Sequence, residues 1–277
     1  MRVATSTVLA MLTMLVIGCQ ENNQQGGASM PVDIDDDLKV VADSRVFFGH
    51  QSVGNNIVEG IESLVSSSDI ELAISDYQNY QEESKGCLLH NEVGENTDPV
   101  SKCTDFGRII DEELSGKIDY ALLKFCYVDV TRRSDVKQVF GDYQRTIDDL
   151  IARHPDITFI HTTVPLMHTP SGVKVWIKKL LGRENTRKLD NIKRNEFNDL
   201  LRATYGTDPI IDIAKSESTY PDGRRETFEV DGKAYYSMIR EYTSDGGHLN
   251  STGQIQVAKS FVQELAQIIR TAPAKVE

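Results

Sequence analysis

The chain lacks a glycine-rich loop of either the Walker or the dinucleotide-binding pattern, so nucleotide chemistry is not indicated. Positive charge is in short supply. The 30 Lys and Arg against 42 Asp and Glu leave a net charge of −12. That balance is a poor basis for binding nucleic acid, or an anionic membrane, through the protein's own charge. Apart from Asp35-Asp36-Asp37 the acidic residues are scattered, as on a solvated surface. There are only four cysteines, and no pair has zinc-finger spacing, which argues against a Cys/His zinc site. The apolar run over 8–17 is shorter than the roughly 20 residues a membrane-spanning helix needs. No internal repeat is present.

What is present begins with "MRVATSTVLAMLTMLVIGC", one basic residue (Arg2) followed by that apolar run, the layout of a secretory signal. It ends in Val16-Ile17-Gly18-Cys19, which resembles the lipobox of bacterial lipoproteins. The resemblance implies that Cys19 is lipidated and becomes the new N-terminus, tethering the protein to a membrane. Gln20 rather than Asp follows, which in that group implies the outer membrane where the organism has two membranes. The alternative is a plain signal peptide with a chance cysteine. The chain thus divides into a signal over 1–19, a polar Gly/Gln/Asn-rich tether over 20–37, and one folded domain over 38–272. Export implies an oxidising compartment. A disulfide between Cys87 and Cys103, which flank a loop-like stretch, is therefore expected, with Cys126 a buried thiol inside an apolar run.

Five short apolar runs read as strands: "SRVFFGHQS", "IELAISDY", "IDYALLKFCYVDV", "ITFIHTTVPL" and "PIIDIA". Helical stripes lie between them. One carries Ile57, Ile61, Leu64 and Val65, and another Phe140, Tyr143, Ile147, Leu150 and Ile151. A further helix ends at Gly206, and the last follows Asn250. Alternation of strand and helix predicts a three-layer α/β/α sandwich around a mostly parallel five-stranded sheet, of flavodoxin-like type. The basic stretch 168–188, which holds the one tryptophan, Trp176, reads as an insertion whose apolar side chains pack on the core.

In such a sheet, ligands bind beyond the carboxyl ends of the strands. There the first strand ends in Gly49-His50-Gln51-Ser52 and gives way to a helix. A serine at that turn either caps the helix or projects its hydroxyl into the cleft with its N–H near a helix N-terminus. A serine nucleophile needs a base. The stretch "YTSDGGHLNSTGQIQVAKSF" puts His248 at the mouth of the last helix, with Asp245 three residues before it and Gly246-Gly247 to let the loop fold back. Asp245 orienting His248, and His248 serving Ser52, is the arrangement of a Ser-His-Asp triad.

These stretches resemble the SGNH (GDSL-type) hydrolases. "DGGHLNSTGQIQVA" is similar to that family's last block, and "VFFGHQSVGNNI" to its first, with Gly-His-Gln-Ser where Gly-Asp-Ser is usual. The resemblance covers most of the chain after about Leu38. It implies an ester hydrolase on an α/β/α fold, with Ser52 as nucleophile, His248 as base and no cofactor. It also implies an oxyanion hole completed by an asparagine after the third strand. That strand here ends "KFCYVDV", without one.

Substitutes are expected in "HNEVGENTDP", where Gly94 offers an N–H and Asn96 an amide, unless both belong to an ordinary turn before Pro99. Asn55 and Asn56 stand in reserve. Tyr127 and Asp129 are placed to line the cleft, Asp129 alternatively as a cap or ion-pair partner. His50 is expected to point away from Ser52, His90 and His161 to line the pocket, and His154 to be exposed. No spacing supports a metal site built from His50, His90 and His161. The expected partner is a small-molecule or polysaccharide ester at the cell envelope. A non-catalytic surface-binding lipoprotein on the same fold, or an O-acyltransferase with the same triad, are the rivals.

Overall fold

The computed structural model describes residues 34–80, 86–170 and 186–272. The signal segment, the lipobox cysteine Cys19 and Trp176 lie outside the described residues. Among these residues a parallel sheet of six strands forms the middle layer: β1 (Arg45–His50), β2 (Ile74–Asp76), β3 (Cys87–Glu92), β4 (Tyr120–Leu123), β5 (Thr158–Thr162) and β6 (Ile210–Ile211). They lie in the order β2-β3-β1-β4-β5-β6. The side chains of β1 alternate between two apolar layers. Val46 and Phe48 join one, together with α1 (Ile34–Ala42), α2 (Val53–Ser66) and the last helix. Phe47 joins the other, with α3 (Pro99–Ile109), α4 (Val136–Arg153) and α5 (Thr186–Thr204). Two further helices, α6 (Ile213–Ser218) and α7 (Ser251–Thr271), follow β6, and a hairpin of β7 (Thr227–Val230) and β8 (Lys233–Tyr236) lies between them in sequence.

The sandwich is the one the sequence predicts, with one strand more than expected. The extra strand is β3, in the stretch that reads as a loop between Cys87 and Cys103. It pairs with β1 along its whole length, from Arg45 opposite Cys87 to His50 opposite Glu92. The fold also starts earlier than Leu38. Asp35, Asp36 and Asp37, which the sequence places in the tether, form the first turn of α1, where carboxylates meet the positive end of the helix dipole. Asp37 is buried and accepts a hydrogen bond from Arg270 of α7 at 2.6 Å. Of the stripe read for α4, Phe140, Tyr143, Ile147 and Leu150 are buried, whereas Ile151 is exposed.

The expected disulfide is absent. Cys87 and Cys103 are free thiols packed in the same apolar layer, and Cys126 is a free buried thiol as expected. Burial pushes the Cys87 thiol up to about 11 and the Cys103 thiol up to about 12, so little thiolate forms at neutral pH. Iodoacetamide should therefore leave Cys87, Cys103 and Cys126 unlabelled in the native protein and label all three after unfolding. Recovery of a Cys87–Cys103 cross-linked peptide without reductant would contradict this.

Candidate active site

Parallel pairing carries the ends of β1, β3 and β4 to one edge of the sheet, because each strand runs in the same direction. The turns beyond them, residues 51–52, 93–98 and 124–129, therefore meet. The ladder closes with Val93 N–H on His50 O and Lys124 N–H on Gly49 O, both 2.9 Å.

Ser52 stands at the head of α2 with φ 22° and ψ −76°, a positive-φ backbone that a residue with a Cβ rarely adopts. Its side chain makes no capping hydrogen bond. The helix-cap reading therefore fails, and Oγ lies instead 3.2 Å from Cys126 Sγ. The strained turn is held from both sides. The Gln51 amide donates to Val93 O (3.2 Å) and Gly94 O (2.8 Å), and the fully buried Lys124 ammonium donates to Gln51 O at 2.9 Å. Burial pulls the Lys124 ammonium down to about 8.

The loop before α7 supplies the dyad. His248 Nδ1 lies 2.7 Å from Asp245 Oδ2. Asp245 Oδ1 accepts the N–H groups of Gly247 (2.8 Å) and His248 (2.9 Å). Burial pushes the Asp245 carboxyl up, but the His248 side chain and those two N–H groups outweigh it and hold the carboxyl well below the usual carboxylate range. An ionised carboxylate only accepts, so Nδ1 carries the proton of neutral His248 and Nε2 carries the lone pair. Gly246 takes φ 95°, and a Cβ there would run into the Arg187 guanidinium. Gly247 lets the Tyr127 ring approach, with its Oη 3.0 Å from where a Cβ would stand. Leu249 N–H donates to Asn56 Oδ1 at 3.1 Å, which fastens this loop to the first turn of α2.

The structure does not join Ser52 to His248 by a hydrogen bond. His248 Nε2 lies 3.4 Å from Tyr127 Oη, so the imidazole lone pair faces the phenol. The two groups nevertheless converge on consecutive residues, Ser52 on Cys126 and His248 on Tyr127. Burial, then the neighbouring Cys126 and Asp245, push the Tyr127 phenol up to about 12, so it stays a donor at neutral pH.

The oxyanion candidates separate. Gly94 is committed elsewhere: its N–H donates to Asp105 Oδ2 at 3.0 Å, and a Cβ at its φ of 54° would lie 2.5 Å from Lys102 N. The turn reading wins for Gly94. Asn96 is exposed, and only its Oδ1 is engaged, by Lys102 Nζ at 3.0 Å. Asn55 donates its amide to Glu92 Oε1 at 2.7 Å, and Asn56 is held by Leu249 and Glu59. Asp129 does not line the cleft. It is buried in an ion pair with Lys102 at 2.5 Å, the alternative expected of it.

The remaining histidines are tied up in the fold. His50 turns into the core, away from Ser52, with Nε2 3.2 Å from His90 Nδ1. Burial, then the Lys124 charge, hold it well below its usual value. His161 is not in the pocket, because its ring stacks on Tyr205 at 3.6 Å and burial lowers it to about 4. His154, expected to be exposed, is buried against Asp111 at 2.7 Å. Among the described residues no three His, Cys, Asp or Glu side chains converge as metal ligands.

No family model matches the chain, and no curated protein does. Solved structures do. The lipase/acylhydrolase from Enterococcus faecalis is similar at 15% identity and TM-score 0.49, over 84% of this chain and 100% of that one. The psychrotrophic esterase from Pseudoalteromonas sp. is similar at 9% and 0.47, over 83% and 100%. The OSK domain of Drosophila Oskar is similar at 13% and 0.40, over 86% and 99%. These likenesses assign no chemistry to this chain. With each of these TM-scores below 0.5, the site stands on its own side chains.

Proposed function

We propose that the protein is a serine ester hydrolase, a divergent relative of the SGNH hydrolases, with Ser52 as nucleophile, His248 as base and Asp245 as its orienter. The observation that supports this best is the backbone of Ser52. A serine at the end of β1 is held in a strained conformation without a capping bond, and it faces the same two-residue stretch as an oriented Asp–His pair. In the reaction Ser52 Oγ attacks the ester carbonyl while His248 Nε2 takes its proton. The tetrahedral intermediate expels the alcohol, which receives that proton. His248 then activates water to release the acid and restore Ser52. The Ser52 N–H and the Asn96 amide are the oxyanion donors of this reading, and Tyr127 binds at the rim. His248 must first leave the Tyr127 hydroxyl and turn to Ser52, a side-chain rearrangement of the kind that unliganded sites require.

On the expectation that Cys19 carries a lipid, the enzyme works at the cell envelope on O-acetylated carbohydrate or lipid-like esters. The lack of a Ser52–His248 hydrogen bond, with the missing asparagine after β4, favours the rival of a non-catalytic binding protein. An O-acyltransferase would differ only in passing the acyl group to an alcohol instead of water.

One experiment separates these. Rapid mixing with p-nitrophenyl acetate should give a burst of about one equivalent of nitrophenol, with an acetyl mass increment on the peptide containing Ser52. No burst and no Ser52 adduct in folded protein would leave the binding protein. Release accelerated by added alcohol, with ester product formed, would identify the transferase.

A further inference from the structure

The Lys102–Asp129 pair lies beside the candidate site and takes no part in the chemistry just described. Both side chains have 0% exposure. Asp129 Oδ2 accepts from Lys102 Nζ at 2.5 Å and from Cys126 N–H at 2.6 Å, and its Oδ1 accepts from Thr97 N–H at 2.8 Å. Lys102 Nζ also donates to Asn96 Oδ1 at 3.0 Å. One buried pair thus fastens the turn after β3, which carries Asn96 and Thr97, to the turn after β4, whose Cys126 touches Ser52.

We infer that Lys102 is a positioning residue: it orients the Asn96 amide as oxyanion donor in place of the asparagine that is missing after β4. This role rests on the esterase reading. An ammonium only donates, so the Asn96 atom facing it is the oxygen. The Asn96 NH₂ is then turned the other way, and it makes no hydrogen bond among the described residues. An exposed asparagine alone would sample several rotamers. Tied at its oxygen to a lysine that is itself locked by a buried carboxylate, it keeps one, which is the preorganisation an oxyanion donor needs. Stability alone is a weak reason for such a pair, since apolar residues often replace buried ion pairs without loss.

The test is a double-mutant cycle on purified, folded protein, read as kcat and KM toward p-nitrophenyl acetate. Asn96→Ala should lower kcat by about 10²–10³-fold with KM nearly unchanged, the usual cost of one oxyanion donor. Lys102→Met should lose most of that factor. The Asn96→Ala/Lys102→Met double variant should be no worse than Asn96→Ala, because the lysine acts through the amide. A purely structural role predicts losses that multiply, and that result would overturn the inference. Lys102→Met leaves Asp129 buried and unpaired. Lys102→Met/Asp129→Asn removes that charge, keeps one acceptor, for Cys126 N–H but not for Thr97 N–H, and should show the same kcat loss if Lys102→Met alone does not fold.

A second readout is independent of turnover. The Asn96 NH₂ pair in a ¹⁵N spectrum should be dispersed in the wild type and collapse to random-coil shifts in Lys102→Met. Unchanged shifts would overturn the inference whether or not the protein is an esterase. If the shifts collapse but wild-type protein gives no burst, the functional reading fails, and the catalytic role of Lys102 with it. A burst with wild-type kcat in Asn96→Ala would remove Asn96 and Lys102 from the site and leave Ser52 in it.

Discussion

Ser52→Ala is expected to lower kcat toward an activated acetyl ester by about 10⁴–10⁶-fold, to the residual level that binding and oxyanion donors supply without a nucleophile. His248→Ala should cost a similar factor. The Ser52→Ala/His248→Ala double variant should be scarcely worse than either, because nucleophile and base act as one unit. Ser52→Ala should not destabilise the fold, and His248→Ala should cost only the small, solvent-screened contribution of its contact with Asp245. Ser52 makes no capping bond, and alanine keeps the same Cβ, so the strain in the turn is neither relieved nor increased. Melting temperatures within a few degrees of wild type would show that the lost turnover is chemical. The nearby thiol gives the test a second edge. Cys126 Sγ lies 3.2 Å from Ser52 Oγ, so activity surviving in Ser52→Ala would direct attention to Cys126 as the acyl acceptor. Abolition of that residual activity in Ser52→Ala/Cys126→Ala would decide it. Multiplying losses in Ser52→Ala/His248→Ala would mean that the two residues do not cooperate, and the triad would have to be abandoned.

The strands legible in the sequence are those whose apolar character is continuous. β1, β4 and β5 are covered on both faces, and their runs of Val, Phe, Leu and Ile say so directly. β3 is not legible because only Cys87, Leu88 and Leu89 are buried. Its outer half, His90-Asn91-Glu92, leads into the functional edge and reads as loop. The disulfide expectation fails for the same reason, since a strand and a helix look like the two ends of one loop. Helix α1 is hidden by its own N-terminal signal, three aspartates that look like solvated chain until the helix dipole and Arg270 are in view.

The candidate site divides in the same way. Ser52, Asp245 and His248 can be placed because each stands where a strand or loop turns into a helix. Lys102 cannot, because nothing in "PVSKCTDF" tells a surface lysine from one buried against Asp129. The pairing across 27 positions exists only once β1 has brought the ends of β3 and β4 together.

Asp245→Asn should lower kcat by about 10⁴-fold at neutral pH while leaving the loop in place. The carboxylate has two separable jobs. Oδ1 accepts the N–H groups of Gly247 and His248, and an asparagine oxygen can do the same. Oδ2 accepts from His248 Nδ1, and there the asparagine presents NH₂, a donor. The imidazole then keeps its lone pair on Nδ1 and its proton on Nε2, which is the wrong tautomer for a base facing Ser52. The stability effect has a defined sign. The Asp245 carboxyl is held below its unfolded value, so its contribution is fully present above the ordinary carboxylate value of about 3.9 and is lost as pH falls through the lowered value. Wild type should therefore melt above Asp245→Asn at pH 7, with the difference shrinking on acidification. More than half of the side chain is exposed, so solvent screening keeps that difference small beside the kinetic one. Asp245→Ala, which removes both jobs, should lose the loop geometry as well, with a further fall in melting temperature. Near-wild-type kcat in Asp245→Asn would mean that His248 is not oriented by Asp245, and the dyad seen in the structure would be a surface ion pair only.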